Sequence, residues 1–183
     1  ILKDFLGMAG TTREVKKILH EKKVLVDGII RKEHRFPVGI MDIVTIPSVN
    51  QSYTLVYSEK GKFILKKLPS DPKEKQCKIT GKHILPKKKI QINLYDGKNV
   101  LVDKDTYKVG DTVILSEGKI KRHLKLEKGA LIYLIGGKHI GVIGKLMEIK
   151  KFKGIENDRI TMETKQGKIE TLKDYAFVIE KVL

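Results

Sequence analysis

The sequence holds one cysteine, no tryptophan and only 6% aromatic residues in 183 positions. The single Cys77 excludes an internal disulfide, a multi-cysteine metal site and an iron–sulfur cluster, and fits a reducing, cytosolic compartment. So few rings supply a poor stacking platform for unpaired bases. No apolar run approaches the roughly 18 to 20 residues that span a bilayer, and no secretory signal pattern is visible, which argues against a membrane or secreted protein. Arginine is scarce as well, five residues against 33 lysines. Lysine is a flexible point charge, whereas the planar fork of arginine reads guanine edges or grips phosphate with two bonds. The composition therefore favours phosphate positioning over base readout.

What the chain has in excess is positive charge. Its 38 basic and 22 acidic side chains give a net +16, and the isoelectric point is near 9.8. Residues 1–46, 47–125 and 126–183 carry nets of +3, +10 and +3, so the excess is spread over the fold and not confined to a tail. A polyanion touching several faces is the natural partner. A lysine- and glutamate-rich thermophile surface also raises charge, but an imbalance of this size exceeds what solubility requires.

Leu2, Phe5 and Leu6 recur at helical spacing before Ala9-Gly10, which predicts a short helix over 2–8. Thr11 or Thr12 caps a second, with Glu14 placed for a capping box and Val15, Ile18 and Leu19 as its apolar stripe. The period then changes to two. Val24 to Val26, an Asp27-Gly28 turn, Ile29-Ile30, Phe36 to Gly39 and Met41 to Ile46 read as a small sheet. Strand signals follow over 53–57, 63–65, 77–79, 90–94, 99–102 and 112–115, then over 130–135, 140–143, 145–149, 159–163, 169–172 and 176–180. The expected fold is mainly β with a small α+β module at the start. It has three domains: 1–46; a central barrel-like domain, 47–125; and a smaller barrel, 126–183.

The second helix sets Arg13, Lys16, Lys17 and His20 on one outer face, with Lys22-Lys23 just beyond and Arg31 and Arg35 in the following hairpin and loop. Such a face suits a nucleic-acid backbone. Lys87-Lys88-Lys89, the group Lys119, Lys121, Arg122 and Lys125, and Lys150-Lys151-Lys153 read as basic clusters at loop edges between strands. In the last third, Gly136 and Gly137 permit a tight turn that exposes Lys138 and His139. Gly141 and Gly144 remove side chains where another backbone approaches.

Thr11 to Ile46, with its capped basic helix, Val24-Leu25-Val26-Asp27-Gly28 turn and closing Asp42-Ile43-Val44-Thr45-Ile46, resembles the small RNA-binding fold named after bacterial small-subunit ribosomal protein four. Lys128 to Lys145 resembles the KOW motif of ribosomal proteins and NusG-type transcription factors. Between them, Ile79 to Lys82, Ile90 to Asn99 and Tyr107 to Val113 resemble the central domain of the archaeal and eukaryotic small-subunit ribosomal protein four-e family. The three pieces in this order cover nearly the whole chain. The resemblance implies a structural constituent of the small ribosomal subunit that binds small-subunit rRNA and neighbouring ribosomal proteins in the cytoplasm. It also implies a monomer outside the ribosome, with no catalysis and no cofactor. Members of that family carry a further basic stretch at the N-terminus, and the opening Ile1 reads as the start of a fragment.

Two other classes stay open at this point. A KOW-bearing transcription or translation factor would bind RNA and a protein partner. An RNA-modifying enzyme would need an acid–base or nucleophilic cluster, and none is visible. The histidines His20, His34, His83, His123 and His139 lie among cations without ligand-spaced carboxylates or cysteines, and read as RNA-facing or solvated with no metal. Asp96, Asp103 and Asp105 lack the closing glutamate of a calcium loop and read as turn carboxylates.

Overall fold

Thr11 lies in extended backbone, and its Oγ1 accepts a hydrogen bond from the Glu14 N–H at 3.3 Å, which starts α1, Thr12–His20. The Glu14 carboxylate accepts from Gly10 N at 2.8 Å, so the box reaches one residue upstream of the cap. Lys22 takes a left-handed φ of 57°. Its N–H donates to Leu19 O at 3.0 Å, and Lys23 N donates to Ile18 O at 3.4 Å. That is a Schellman ending with lysine where glycine is usual. The helix expected over 2–8 does not form. Phe5 N and Leu6 N both donate to Ile1 O at 3.1 Å, and Gly7 turns to a φ of 61°. Seven residues with glycine at hand cannot offset the cost of helix nucleation. Leu2 is nevertheless buried with Leu19, Val24, Val44 and Ile46 in the first core.

This is a computed structural model that describes residues 1–69, 72, 74–86, 89–152 and 156–180. It forms two compact units, Ile1–Val56 with Phe63–Lys75, and Tyr57–Lys62 with Gln76–Leu183. The fold is mainly β and contains three five-stranded sheets.

The first sheet consists of β1 Leu25–Val26, β2 Ile29–Ile30, β3 Ile43–Ile46, β4 Gln51–Tyr57 and β5 Phe63–Leu68, in the order β2-β1-β3-β4-β5. Val26 faces Ile29 across Asp27 and Gly28, whose φ values of 51° and 77° are both positive, as a type I′ hairpin requires. The strand expected at Phe36 to Gly39 is irregular, and Met41 and Asp42 precede β3 without joining it. There Asp42 Oδ2 accepts from Gly39 N at 2.7 Å, and Met41 holds a positive φ of 66° that interrupts the regular ladder, although Met41 N still donates to Leu55 O at 2.9 Å.

The second sheet consists of β6 Lys75–Ile84, β7 Ile90–Leu94, β8 Asn99–Val102, β9 Thr112–Ser116 and β10 Lys119–Leu124, in the order β10-β9-β6-β7-β8. Its core gathers Cys77, Ile79, Ile90, Ile92, Leu94, Val113 and Leu115. The third consists of β11 Leu131–Leu134, β12 Ile143–Lys150, β13 Arg159–Thr164, β14 Gly167–Leu172 and β15 Ala176–Val178, in the order β14-β13-β12-β11-β15. Its core is built on Ile132, Leu134, Leu146, Ile160, Met162 and Val178. A separate strand at Ile140 to Ile143 is absent. Gly141, at a φ of 84°, keeps that stretch in a turn that ends where β12 begins.

Within the second unit, buried Asp111 ties the start of β9 to β10 and to the link that follows it. Its carboxylate accepts from Leu126 N at 2.9 Å and Lys108 N at 3.1 Å and meets His123 Nε2 at 2.7 Å. His123 also packs on Tyr107, ring centroids 4.8 Å apart. It is thus a structural partner of a buried carboxylate and corrects the expectation of a solvated or RNA-facing histidine.

Candidate nucleic-acid interface

Helical periodicity settles the first surface. Leu19 is buried and Val15 and Ile18 half-buried, so Arg13, Lys16, Lys17 and His20, at steps of three and four, are left on the exposed side. Lys17 and His20 fall in the last turn, where the helix dipole favours cations. Lys22 and Lys23 extend the cationic surface past the helix end, although Lys23 pairs with Glu21 at 2.5 Å.

Arg31 and Arg35 follow in the same unit. The Arg31 guanidinium lies 4.0 Å over the Phe36 ring. Arg35 is exposed, and its backbone N–H donates to Glu33 Oε1 at 3.1 Å. That hydrogen bond, with charge from His34 beside it at 2.8 Å, holds the Glu33 carboxyl below the usual range. Lys22, Arg31 and Lys32 converge on an open groove of about 540 Å³ that also includes Ile30, Glu33 and Phe36. Sequence reasoning passed over Lys32 and the aromatic support from Phe36. The only prior signal was an arginine and an aromatic five residues apart in an irregular stretch.

In the second unit Lys119, Lys121 and Arg122 stand exposed on β10. This corrects their assignment to a loop edge: the edge strand itself carries them. A bulge between Ile120 and Arg122 leaves Lys121 out of the ladder, which re-aims its side chain. Arg122 is engaged with Glu180. Lys89 is exposed, and Lys87, Lys88 and Lys153 lie outside the described residues. Lys150 is the last residue of β12, at a loop edge as expected, and pairs with Glu170 at 2.9 Å, which raises its pKa and lowers that of the glutamate. Lys151 is exposed.

Lys138 is exposed and His139 half-buried in the glycine turn. A Cβ on Gly136 or Gly137 would lie 2.6 or 2.9 Å from the Tyr175 ring. On Gly141 it would meet Ser58 O at 2.0 Å, and on Gly144 it would meet Glu163 O at 2.3 Å. Gly141 and Gly144 are therefore filled by the protein's own backbone, and the turn offers an external partner only its rim. The Tyr133 hydroxyl secures the same region by accepting from Tyr57 N at 2.5 Å and donating to Tyr57 O at 3.0 Å. Burial pushes that phenol up to about 12.

Two lysines that belong to the cationic total do not belong to the surface. Lys75 is buried and donates to Asp27 Oδ2 at 2.5 Å and Asp42 Oδ1 at 2.6 Å. Lys78 is buried and donates to Asp174 O at 2.6 Å, and burial lowers its pKa to about 8. Among the described residues no three histidine, cysteine, aspartate or glutamate side chains cluster to hold a metal. No helix there is long and apolar enough to cross a membrane.

Comparison with known proteins gives consistent results. A model of the ribosomal family S4e matches residues 49–120. The small ribosomal subunit protein eS4 of Methanocaldococcus jannaschii is 42% identical over 190 residues, spanning 98% of this chain and 77% of the relative. That of Methanosphaera stadtmanae is 43% identical, spanning 98% and 75%. The crystal structure of the 30S ribosomal protein S4e from Thermoplasma acidophilum superposes with a TM-score of 0.82 at 31% identity, covering 98% of this chain and 91% of that one.

Proposed function

Since the chain belongs to the S4e family of ribosomal proteins, we propose that it is a structural, non-enzymatic constituent of the small ribosomal subunit in the cytoplasm, and that it binds small-subunit rRNA through its basic surfaces. The relatives' names carry the ribosomal part. The observation that carries the RNA part is the exposed cationic face of α1, continued by Lys22 and by the groove of Arg31 and Lys32. Neighbouring ribosomal proteins are the other expected partners, and outside the ribosome the chain is a monomer.

Three modules divide this work in our reading. Residues 1–46 act as the RNA-binding module and set the helix against phosphates. Residues 47–125 form the central barrel-like domain, whose β4 and β5 complete the first sheet and whose later strands spread Lys89, Lys119, Lys121 and Arg122 over neighbouring RNA. Residues 126–183 form an SH3-like KOW barrel whose rim, Lys138 with His139, adds an end contact beside Lys150 and Lys151. Backbone clamping of double-helical RNA needs charge and shape and no base stacking, which agrees with the lysine excess.

Sedimentation in a high-salt sucrose gradient tests the assignment. A ribosomal constituent stays with the small subunit. A KOW-containing transcription or translation factor, the alternative reading, would be released into the light fractions with its protein partner.

A further inference from the structure

The groove on the first unit differs from the other basic surfaces in how its arginine is held. Arg122 faces Glu180, and Arg159 lies 3.4 Å from Glu170. Among the described residues Arg31 has no carboxylate partner. Its guanidinium is fixed by the Phe36 ring at 4.0 Å, and its buried Nε–H meets no acceptor. The buried Nε–H turns that edge of the guanidinium toward the protein, which leaves the terminal Nη groups to meet a ligand oxygen in the groove. The carboxylate on the rim is already engaged, since Glu33 accepts from Arg35 N and pairs with His34.

Lys22 adds a second, independent observation. It holds a φ of 57° at the end of α1, where glycine would fit without strain, yet its side chain lines this groove. Lys32 lines it as well, and Ile30, nearly half-exposed, gives an apolar wall that a ribose can lie against.

We propose that this groove is a clamp for one phosphodiester of an RNA backbone. Arg31 supplies the bidentate fork, Lys22 and Lys32 supply point charges, and Phe36 is a positioning residue that keeps the guanidinium plane fixed. The inference rests on the RNA-binding reading above and adds to it a single site whose geometry, and not only its charge, matters. A phosphate fits better than a base edge, because three cations line the groove against one engaged carboxylate and side chains cannot read the deep major groove of A-form RNA.

The test uses the whole chain and a small-subunit rRNA fragment, with affinity measured across a salt series. R31K keeps the charge but loses the fork and the stacked plane. It is expected to weaken binding about tenfold with an unchanged salt slope, whereas R31A should also lower the slope by about one. F36L should weaken binding in the same direction as R31K. Its thermal midpoint reports whether the fold survives, and R31K stands without that concern. If wild type prefers rRNA and both R31K and F36L bind within twofold of it, the groove is not the clamp, although the RNA-binding reading stands. A loss confined to one RNA sequence would mean base readout and overturn the phosphate assignment. If wild type shows no preference for rRNA, the RNA-binding reading fails and the clamp falls with it.

Discussion

Single residues show where conformation or burial is set against a simpler choice. Lys22 occupies a left-handed position at the end of α1. Lys22→Gly is expected to raise stability by about 0.5–1 kcal/mol, since glycine takes that conformation freely, while weakening RNA binding. Urea unfolding and a binding isotherm measure the two effects. Lys78 gives a pH prediction. Its folded pKa, about 8, lies below the ordinary 10.5 because of burial. Below pH 8 it is charged in both states, and the burial cost is fully present. Between pH 8 and 10.5 the unfolded chain binds more protons, so stability rises with pH by an amount on the order of 3 kcal/mol. Tyr133, whose folded pKa is pushed up to about 12, works the other way. Above pH 10 the unfolded phenol loses its proton first, and stability falls. Denaturant midpoints between pH 7 and 11 should therefore pass through a maximum, and Lys78→Met should remove the rising limb.

At the scale of elements, buried Lys75 with half-buried Asp27 and Asp42 ties the start of β6 to the hairpin turn after β1 and to the residue before β3. Lys75→Met would leave two half-buried carboxylates without their cation and is expected to cost about 3 kcal/mol, the low end for a broken buried pair. A loss below about 1 kcal/mol in urea unfolding would contradict that role. The surface of α1 behaves differently, because its cations touch solvent. Lys16→Glu with Lys17→Glu should weaken rRNA binding and leave the thermal midpoint nearly unchanged. Equal affinity would remove the helix from the account.

The same elements show what sequence could and could not reveal. The Asp27-Gly28 hairpin, the Thr11 cap and the α1 stripe were legible because each signal lies within a few residues of its effect. Strand β10 was missed. In Lys119-Ile120-Lys121-Arg122-His123-Leu124 the bulge at Lys121 breaks the period of two, and only Ile120 and Leu124 are apolar. The inward Lys75 was illegible for another reason: its two partners lie 33 and 48 residues earlier in the chain. Of the interface, the exposed lysines of α1 could be read from periodicity, whereas the stacking of Arg31 on Phe36 exists only once the loop after β2 is folded.

For the whole molecule, the net charge of +16 overstates what a partner meets. Lys75 and Lys78 are inside, and Lys23, Arg122 and Lys150 have acidic neighbours. What remains is cationic surface on each of the two units, each suited to RNA backbone. The most direct test of this account is the affinity of the chain for small-subunit rRNA fragments against random RNA of the same length, across a salt series. The account predicts selective binding whose logarithm falls steeply with the logarithm of salt, on the order of six to ten phosphate contacts. Equal affinity for both RNAs, or a nearly flat salt dependence, would contradict it.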